Sequence, residues 1–191
     1  IEDIYPFTVL NQVLGGTTNS RLFMSLRELK GYAYWSFSDL VSFKNSRVFR
    51  IKAKVRPEVV TPSLLGALQE IETITTEQVP SFEIEQSKSF LIGNFPLQVE
   101  TFDDLSAKAS EFIAFNPGEG QWNRYSENIM LVNSEKVFES AKKYALLNPA
   151  VVIVGDKNII IDYTRELEEV ELYDNKGNLQ AVYKYKEGEK K

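Results

Sequence analysis

The sequence contains no histidine and no cysteine among its 191 residues. Without cysteine it forms no disulfide and has no thiolate chemistry, and this composition suits an oxidising or a reducing compartment equally. Without histidine it lacks the most common metal ligand and the usual general base of enzymes. Because catalytic zinc sites ordinarily use His or Cys ligands, we expect this chain to bind no cofactor and to be no enzyme by itself. An all-carboxylate site for Mg²⁺ or Ca²⁺ stays open, although the EF-hand spacing does not occur.

The sequence also has no long apolar run and no excess of positive charge, and these two absences limit the kinds of partner that it can bind. No apolar run approaches the ~20 residues that a membrane-spanning helix needs, so we expect no membrane span. The net charge is -5 and the pI is about 5.0, which disfavours binding to nucleic acid or to anionic membranes. The sequence begins at Ile1 without a basic or apolar leader. We take it to be cut from a longer chain, so the missing leader says nothing about export.

Hydrophobic periodicity in the first third of the chain predicts two helices and then a β-hairpin. The first helix covers residues 5–14 and is ended by Gly15-Gly16, and the second runs from Ser20 to Gly31. Strands follow over residues 32–42 and 47–56. The second strand alternates apolar and basic residues strictly, so the antiparallel hairpin is expected to bury one face and expose the other.

The remaining sequence predicts further helices, one buried strand and a terminal hairpin. Helix start signals occur at Pro62, Pro80-Ser81, Thr101, about Gln121 and Ser134. Ala150–Val154 is short, apolar and β-branched, which predicts a central strand covered on both faces. A turn at Asn175–Gly177 predicts the hairpin. Together the elements predict an α+β fold, with a mostly antiparallel sheet and helices packed on one face. We expect a single module over residues 1–186 and a disordered tail at 187–191.

Several motifs occur in an order that is typical of one protein family. They are Leu10-Asn-Gln-Val-Leu-Gly-Gly16, Ser20-Arg-Leu-Phe23, Leu26-Arg-Glu28, Gly31-Tyr32, Gly93-Asn-Phe-Pro96 with Glu100-Thr101, the helix within 129–144, and Val151-Val-Ile-Val-Gly-Asp156. Together they span about residues 8–174. The chain resembles the C-terminal, zinc-motif-lacking domain of the pitrilysin/insulinase zinc-peptidase family, in its processing-peptidase-like subgroup.

The resemblance implies a half-clamshell module of a metallopeptidase. In such proteins two halves close around an extended peptide, and one half carries the zinc motif His-x-x-Glu-His. The resemblance therefore implies a peptide substrate, and a partner domain or subunit that supplies zinc and the catalytic Glu. It also implies a strand before the first helix. We expect that strand to be missing from this sequence, and an unpaired sheet edge invites pairing with another chain. Bacterial two-chain relatives suggest a periplasmic location by resemblance alone.

Arg27 and Tyr32 are the first candidate site residues. An arginine is always charged and can grip a carbonyl or carboxylate, and a tyrosine hydroxyl can donate to the same oxygen. The resemblance implies that the pair binds the substrate backbone and stabilises the developing oxyanion of the scissile carbonyl. The alternative is an arginine at the end of its helix and a tyrosine packed on the sheet.

The loop that contains Gly15, Gly16 and Ser20 is a second candidate, since glycine lets a peptide backbone approach closely. A helix C-cap, a turn and a helix N-cap explain the same residues.

Two surface features are open to a functional and a structural interpretation. They are the basic stripe of Arg50, Lys52, Lys54 and Arg56 and the aromatic stretch of Tyr32, Tyr34, Trp35 and Phe37. A solvated sheet face explains the stripe better than an acidic or nucleic-acid ligand, and packing explains much of the aromatic stretch.

These observations favour a substrate-binding module that completes the active site of a zinc metallopeptidase. The alternative is a non-catalytic scaffold or core subunit of the same family, in which Arg27 and Tyr32 are relics or structural. A third class, an oligonucleotide-binding module built on the basic stripe, is disfavoured by the acidic pI.

Overall fold

The computed structural model describes residues 3–43, 46–115, 124–144 and 149–185. The helices are α1 (Ile4–Gly15), α2 (Arg21–Phe23), α3 (Val60–Thr76), α4 (Ser81–Asn94), α5 (Phe102–Phe115), α6 (Tyr125–Met130), α7 (Ser134–Lys143) and α8 (Lys157–Ile160). The strands are β1 (Ala33–Ser42), β2 (Arg47–Val55), β3 (Glu169–Tyr173) and β4 (Leu179–Lys184). A π-helical segment (Met24–Leu29) continues α2 directly, and 3₁₀ turns cover Pro57–Val59, Pro96–Val99 and Ile161–Thr164.

The core forms where α1 packs against its neighbours. Leu10 and Leu14 of α1, Leu22 of α2 and Leu26 of the π-helical segment are fully buried. Ile74 of α3 is buried in the same cluster. Because Leu10 and Leu14 are four residues apart, as are Leu22 and Leu26, each pair lies on one helix face. Their burial keeps α1 and the α2 region in fixed positions beside the first hairpin.

The first hairpin confirms the period-two pattern of the sequence. β1 and β2 pair antiparallel, with Ser38 opposite Ile51. The side of the hairpin that bears Ser38 packs against α1, where the Ser38 hydroxyl donates to Asn11 Oδ1 at 2.8 Å. The basic residues of β2 lie on the other face, where Arg50 and Lys52 both bind Asp39. The predicted turn at 44–46 lies partly outside the described residues.

The residues that predict where helices and turns begin or end lie at the corresponding positions of the structure. Gly31 adopts φ 62°, a conformation that suits glycine, and the helical region stops there as predicted. The Thr101 Oγ1 accepts the Asp104 backbone N–H at 3.1 Å, which confirms the predicted cap of α5. The terminal hairpin is confirmed as β3 and β4, with Gly177 at φ 82° in its turn. Within the described ranges, no helix is long and apolar enough to cross a membrane.

The prediction of a buried central strand at Ala150–Val154 is wrong. The segment is not part of any strand, and Val152 and Val154 are 82% and 91% exposed. The described strands instead form two separate two-stranded antiparallel sheets, β1–β2 and β3–β4. A β-branched apolar run becomes a strand only when a neighbouring strand offers backbone partners, and here the segment faces β2 across an open groove.

Three other predictions fall partly or wholly on residues that the structure does not describe. The helix expected from about Gln121 begins at Tyr125 in the structure, with Arg124 as its N-cap, and residues 116–123 lie outside the described ranges. The tail at 187–191 also lies outside them, and the single-module boundary at residue 186 stays a prediction. The α+β class itself is confirmed, with antiparallel strands and helices packed on the β1–β2 hairpin.

Candidate functional site

Arg27 lies on the π-helical segment Met24–Leu29. In this segment the Lys30 backbone N–H donates to the Ser25 carbonyl at 3.2 Å, a wider step than that of an α-helix. π-Helical turns occur frequently at functional sites, because the wider turn changes where a side chain projects. The fully buried Leu26 anchors the segment in the core next to Arg27.

The Arg27 guanidinium is held in place by two neighbours but remains half exposed. Its central carbon lies 5.0 Å from the centroid of the Phe23 ring, within cation–π range. Its Nε lies 3.6 Å from a carboxylate oxygen of Glu28, and 48% of the Arg27 side chain is exposed. A charged group that is oriented by neighbours and still open to solvent can take a ligand without a large desolvation cost.

Tyr32 lies at the corner where the π-helical segment turns into β1. Its backbone N–H donates to the Leu26 carbonyl at 2.8 Å. The preceding residue, Gly31, accepts a hydrogen bond from Arg56 Nη2 at 3.2 Å. The corner is thus tied both to the π-helical segment and to the chain that follows β2. Arg27 and Tyr32 therefore sit on adjoining, braced elements, although no hydrogen bond joins their side chains in the described part of the chain.

A row of aromatic rings extends from Arg27 across the outer face of β1. Phe23 lies 5.5 Å from Phe37, and Phe37 stacks on Trp35 at 6.3 Å between ring centroids. Trp35 is 38% exposed and Tyr34 is 61% exposed, while Tyr32 and Phe37 are half-buried. Packing in the core therefore does not account for half of the aromatic stretch, and the irregular register between Ala33 and Trp35 breaks the alternation on which that expectation rested. Sequence reasoning did not single out Phe23; the signal was its spacing of four residues before Arg27, which places both on one helix face.

The glycine loop has structural roles that account for its residues. A Cβ on Gly15 would overlap the Ser38 amide nitrogen and hydroxyl and would lie 2.8 Å from Ser38 Cβ. A Cβ on Gly16 would lie 2.7 Å from Gln12 Cα. Ser20 precedes α2 as predicted, but its hydroxyl donates to the Thr17 carbonyl rather than capping the helix. The role of this loop in peptide binding stays a prediction.

The basic stripe is partly neutralised by a carboxylate on β1. Asp39 accepts two hydrogen bonds from Arg50, at 2.8 and 2.9 Å, and one from Lys52 at 2.9 Å. The hydrogen bonds from Arg50 are the main reason that the pKa of Asp39 falls from 3.8 to about 2. Lys54 lies 5.7 Å from the Tyr34 ring centroid. These contacts favour the structural interpretation of the stripe as the outer face of the hairpin.

The residues of this chain do not fit a zinc site. Histidine and cysteine are absent from the sequence. The described residues also contain no cluster of three or more acidic side chains that could hold a metal ion. The fold and the candidate site therefore define an α+β module that offers a half-exposed arginine and a half-buried tyrosine and, among the described residues, no group of side chains that could hold a metal ion.

Comparison with known proteins shows what the first half of this chain resembles. Residues 1–91, which include Arg27 and Tyr32, match the family described as "Peptidase M16 inactive domain". The chain is 36% identical over 101 residues to the "Uncharacterized zinc protease YmxG" of Bacillus subtilis, a match that covers 52% of this chain and 24% of that protein. The first half of the chain is thus similar to the peptidase M16 inactive domain, in agreement with the resemblance to the pitrilysin/insulinase peptidases.

Solved structures share the fold at low sequence identity. The peptidase M16 inactive domain from Pseudomonas fluorescens superposes with a TM-score of 0.67 at 19% identity, covering 74% of this chain and 34% of that chain. A chain of Complex III2 from Candida albicans gives a TM-score of 0.65 at 13% identity, covering 75% and 36%. The present chain spans about a quarter of the length of the curated relatives that it matches.

Proposed function

We propose that this module binds an extended peptide and completes the active site of a zinc peptidase whose metal and catalytic Glu lie in another domain or subunit. The observation that carries the proposal is the half-exposed Arg27 guanidinium, oriented by Phe23 and Glu28 on a π-helical segment. It lies within the family match, and curated relatives are called zinc proteases. Export to the periplasm stays a prediction.

The chemistry that this chain supplies is hydrogen-bond donation. The Arg27 N–H groups and the Tyr32 hydroxyl donate to the carbonyl oxygen of the scissile peptide, where negative charge develops in the transition state. Hydrogen bonds at Gly31 and Tyr32 fix the backbone from which Tyr32 projects, and Phe23 and Glu28 orient the Arg27 guanidinium. Donors fixed in advance cost little reorganisation during reaction. Zinc bound elsewhere would supply the activated water.

A non-catalytic scaffold is the second candidate. Two observations favour it: the Arg27 guanidinium already has the Phe23 ring and the Glu28 carboxylate as neighbours, and the same fold occurs in a chain of Complex III2. In this role Arg27 would fix the end of the helical region, and the aromatic row beside it would pack against a partner protein.

Hydrolysis of quenched fluorescent peptides by the complete protein, together with its zinc-bearing domain or subunit, separates the two candidates. We expect Arg27→Ala to lower kcat/KM by roughly 100-fold, which corresponds to ~2.7 kcal/mol of lost transition-state stabilisation. Arg27→Lys keeps the charge but loses the planar fork, so we expect it to restore activity only in part.

The matched control is Arg165→Ala, which removes another half-exposed arginine that pairs with Asp162. We expect this variant to keep wild-type activity. If Arg27→Ala hydrolyses peptides as fast as Arg165→Ala while the assembly stays intact, the active-site role is wrong and the scaffold interpretation stands.

A further inference from the structure

Basic and aromatic side chains share the face of the first hairpin that points away from α1. On β1, Ser36 and Ser38 are buried on the side that packs against α1, so the residues that alternate with them lie on the opposite side. The strand register pairs each of these with a basic residue of β2. The cross-strand pairs are Trp35 with Lys54, Phe37 with Lys52, and Asp39 with Arg50. We call these six residues the outer face.

A β-bulge adds a second aromatic ring beside Lys54. The pairing of β1 with β2 shifts between Ala33 and Trp35, which leaves Tyr34 as the extra residue on β1. Bulges are common next to functional sites, where they redirect a side chain. Tyr34 is 61% exposed, and its ring centroid lies 5.7 Å from Lys54 Nζ. The Lys54 ammonium therefore has an aromatic neighbour in Tyr34 and another in its cross-strand partner Trp35.

Lys54 is the cation of the outer face that no carboxylate balances. Asp39 pairs with Arg50 at 2.8 Å and with Lys52 at 2.9 Å, which accounts for both as structural residues of the hairpin. Across the described ranges, Lys54 contacts the Tyr34 ring but forms no ion pair. The outer face has three basic residues and one acidic residue, in a chain whose net charge is -5. This charge distribution favours an anion at Lys54.

The outer face is continuous with the candidate site at Arg27. The Arg27 guanidinium lies 5.0 Å from the Phe23 ring, Phe23 lies 5.5 Å from Phe37, and Phe37 lies 6.3 Å from Trp35. An extended peptide advances ~3.3 Å per residue, so these steps correspond to about five residues. A peptide whose carbonyl is held at Arg27 can therefore place a side chain at Lys54 within about five residues of that carbonyl.

We propose that the outer face binds an acidic side chain of the peptide, and that Lys54 pairs with its carboxylate. The rings of Tyr34 and Trp35 limit the contact of the ammonium with water, so a pair formed there is screened less than one in open solvent. The peptide between this carboxylate and Arg27 lies along the aromatic row. The module thus favours peptides that carry Asp or Glu within about five residues of the bound carbonyl.

The inference rests on the peptide-binding part of the proposed function and does not depend on catalysis. It assigns the carboxylate to a side chain rather than to the C-terminus of the peptide. Lys52, Lys54 and Arg56 are all exposed, so the face is open around Lys54 and has no wall at which a peptide must end. Peptides with an amidated or a free C-terminus separate these two sources of a carboxylate.

Paired peptides that differ only in Glu or Gln test the proposal on the complete protein with its zinc-bearing domain or subunit. A single Glu is moved through about five positions on each side of the scissile bond, in labelled peptides with an amidated C-terminus. Kd comes from fluorescence anisotropy with zinc chelated, and KM and kcat come from hydrolysis. At one position we expect Glu to lower Kd and KM about twofold to fivefold relative to Gln, the range of an exposed ion pair, with kcat unchanged. The preference should weaken as NaCl rises from about 0.05 M to about 0.5 M.

Substitution of Lys54 links the preference to this face. Lys54→Gln should make the Glu and Gln peptides equivalent, and Lys54→Glu should reverse the preference in favour of a matched Lys peptide, because like charges then meet. The matched control is Lys176→Glu, which changes an exposed lysine in the turn of the separate β3–β4 sheet. We expect this variant to retain the wild-type preference for Glu.

The outcomes separate this inference from the peptidase role. Equal Kd and KM for the Glu and Gln peptides at every position, or a Glu preference that persists in Lys54→Glu, would overturn it even if hydrolysis depends on Arg27. A Lys54-dependent preference in Kd without hydrolysis supports it and contradicts the catalytic role. If a free C-terminus gives the Lys54-dependent gain and an internal Glu does not, the assignment to a side chain is wrong. If no peptide binds, both proposals fail.

Discussion

Substituting Gly15 with alanine tests whether the glycine loop serves packing or peptide access. Gly15 is the last residue of α1, and the Cβ of an alanine would overlap the backbone amide and hydroxyl of Ser38 on β1. A side chain can rotate away from such an overlap, but a strand backbone cannot. Gly15→Ala must therefore push α1 and β1 apart, and it weakens the hydrogen bond between Ser38 and Asn11.

The expected cost follows from overpacking in a filled interior. Forcing one extra carbon into such a contact costs about 1–3 kcal/mol, and the better helix propensity of alanine offsets less than 1 kcal/mol of it. For a domain of this size, each kcal/mol corresponds to about 2–4 °C in Tm. For a net cost of about 1–2 kcal/mol, we expect thermal denaturation, followed by circular dichroism, to show a decrease in Tm of about 2–8 °C.

Gly93→Ala is the matched control. Gly93 lies in α4, and a Cβ there would meet nothing within 4 Å. The same chemical change should raise stability there by about 0.5–1 kcal/mol, because alanine favours the helix. If Gly15→Ala leaves Tm unchanged but lowers peptide affinity, the packing argument is refuted and the loop belongs to a peptide site.

Two further predictions concern ion pairs that link elements. Arg21 binds Glu83 through two hydrogen bonds, at 2.8 and 3.0 Å, in a half-buried position. Glu83→Gln should lower the free energy of unfolding by about 1–3 kcal/mol in urea titrations, since it leaves the guanidinium without its charged partner; an unchanged midpoint would show that water replaces the contact. Asp39 has a pKa lowered to about 2, mainly by its hydrogen bonds from Arg50. A carboxyl whose pKa is lowered on folding stabilises the folded state at pH values above its ordinary pKa of about 4. This contribution is lost as the pH falls through the lowered pKa of about 2. Because the Asp39 side chain is 38% exposed, Asp39→Asn should cost only about 0.5–1 kcal/mol at pH 7, and this cost should shrink as the pH falls from about 4 through 2. A cost that does not change with pH would rule out the ion pairs as its source.

The first hairpin and the helix ends were predictable because their signals are local. Strict alternation in β2 determines which side chains share a face, whatever the rest of the chain does. Gly31 and Thr101 act within one turn of their own positions. Ala150–Val154 was not predictable in the same way, because a strand needs a neighbour and the sequence of one segment cannot show whether that neighbour is present.

The resemblance could name candidate site residues, but the sequence could not give their geometry. The family resemblance singled out Arg27 and Tyr32, yet hydrophobic periodicity does not distinguish a π-helical segment from the α-helix that precedes it. The position of the Phe23 ring under the Arg27 guanidinium also depends on how that turn projects its side chains. The resemblance thus names the candidate groups, whose role stays a prediction, and the burial of Leu26 fixes the segment that carries Arg27.

The most direct test of the peptidase role is a double-mutant cycle between Arg27 and Tyr32, measured as kcat/KM of the assembled peptidase. If both residues donate to one carbonyl oxygen, Arg27→Ala with Tyr32→Phe should lose less than the sum of the single losses, with a coupling of at least about 1 kcal/mol. The same cycle measured on thermal stability should show no coupling, since the side chains share no hydrogen bond in the free module. Strict additivity of the two losses in kcat/KM, or single variants with full activity, would contradict the account.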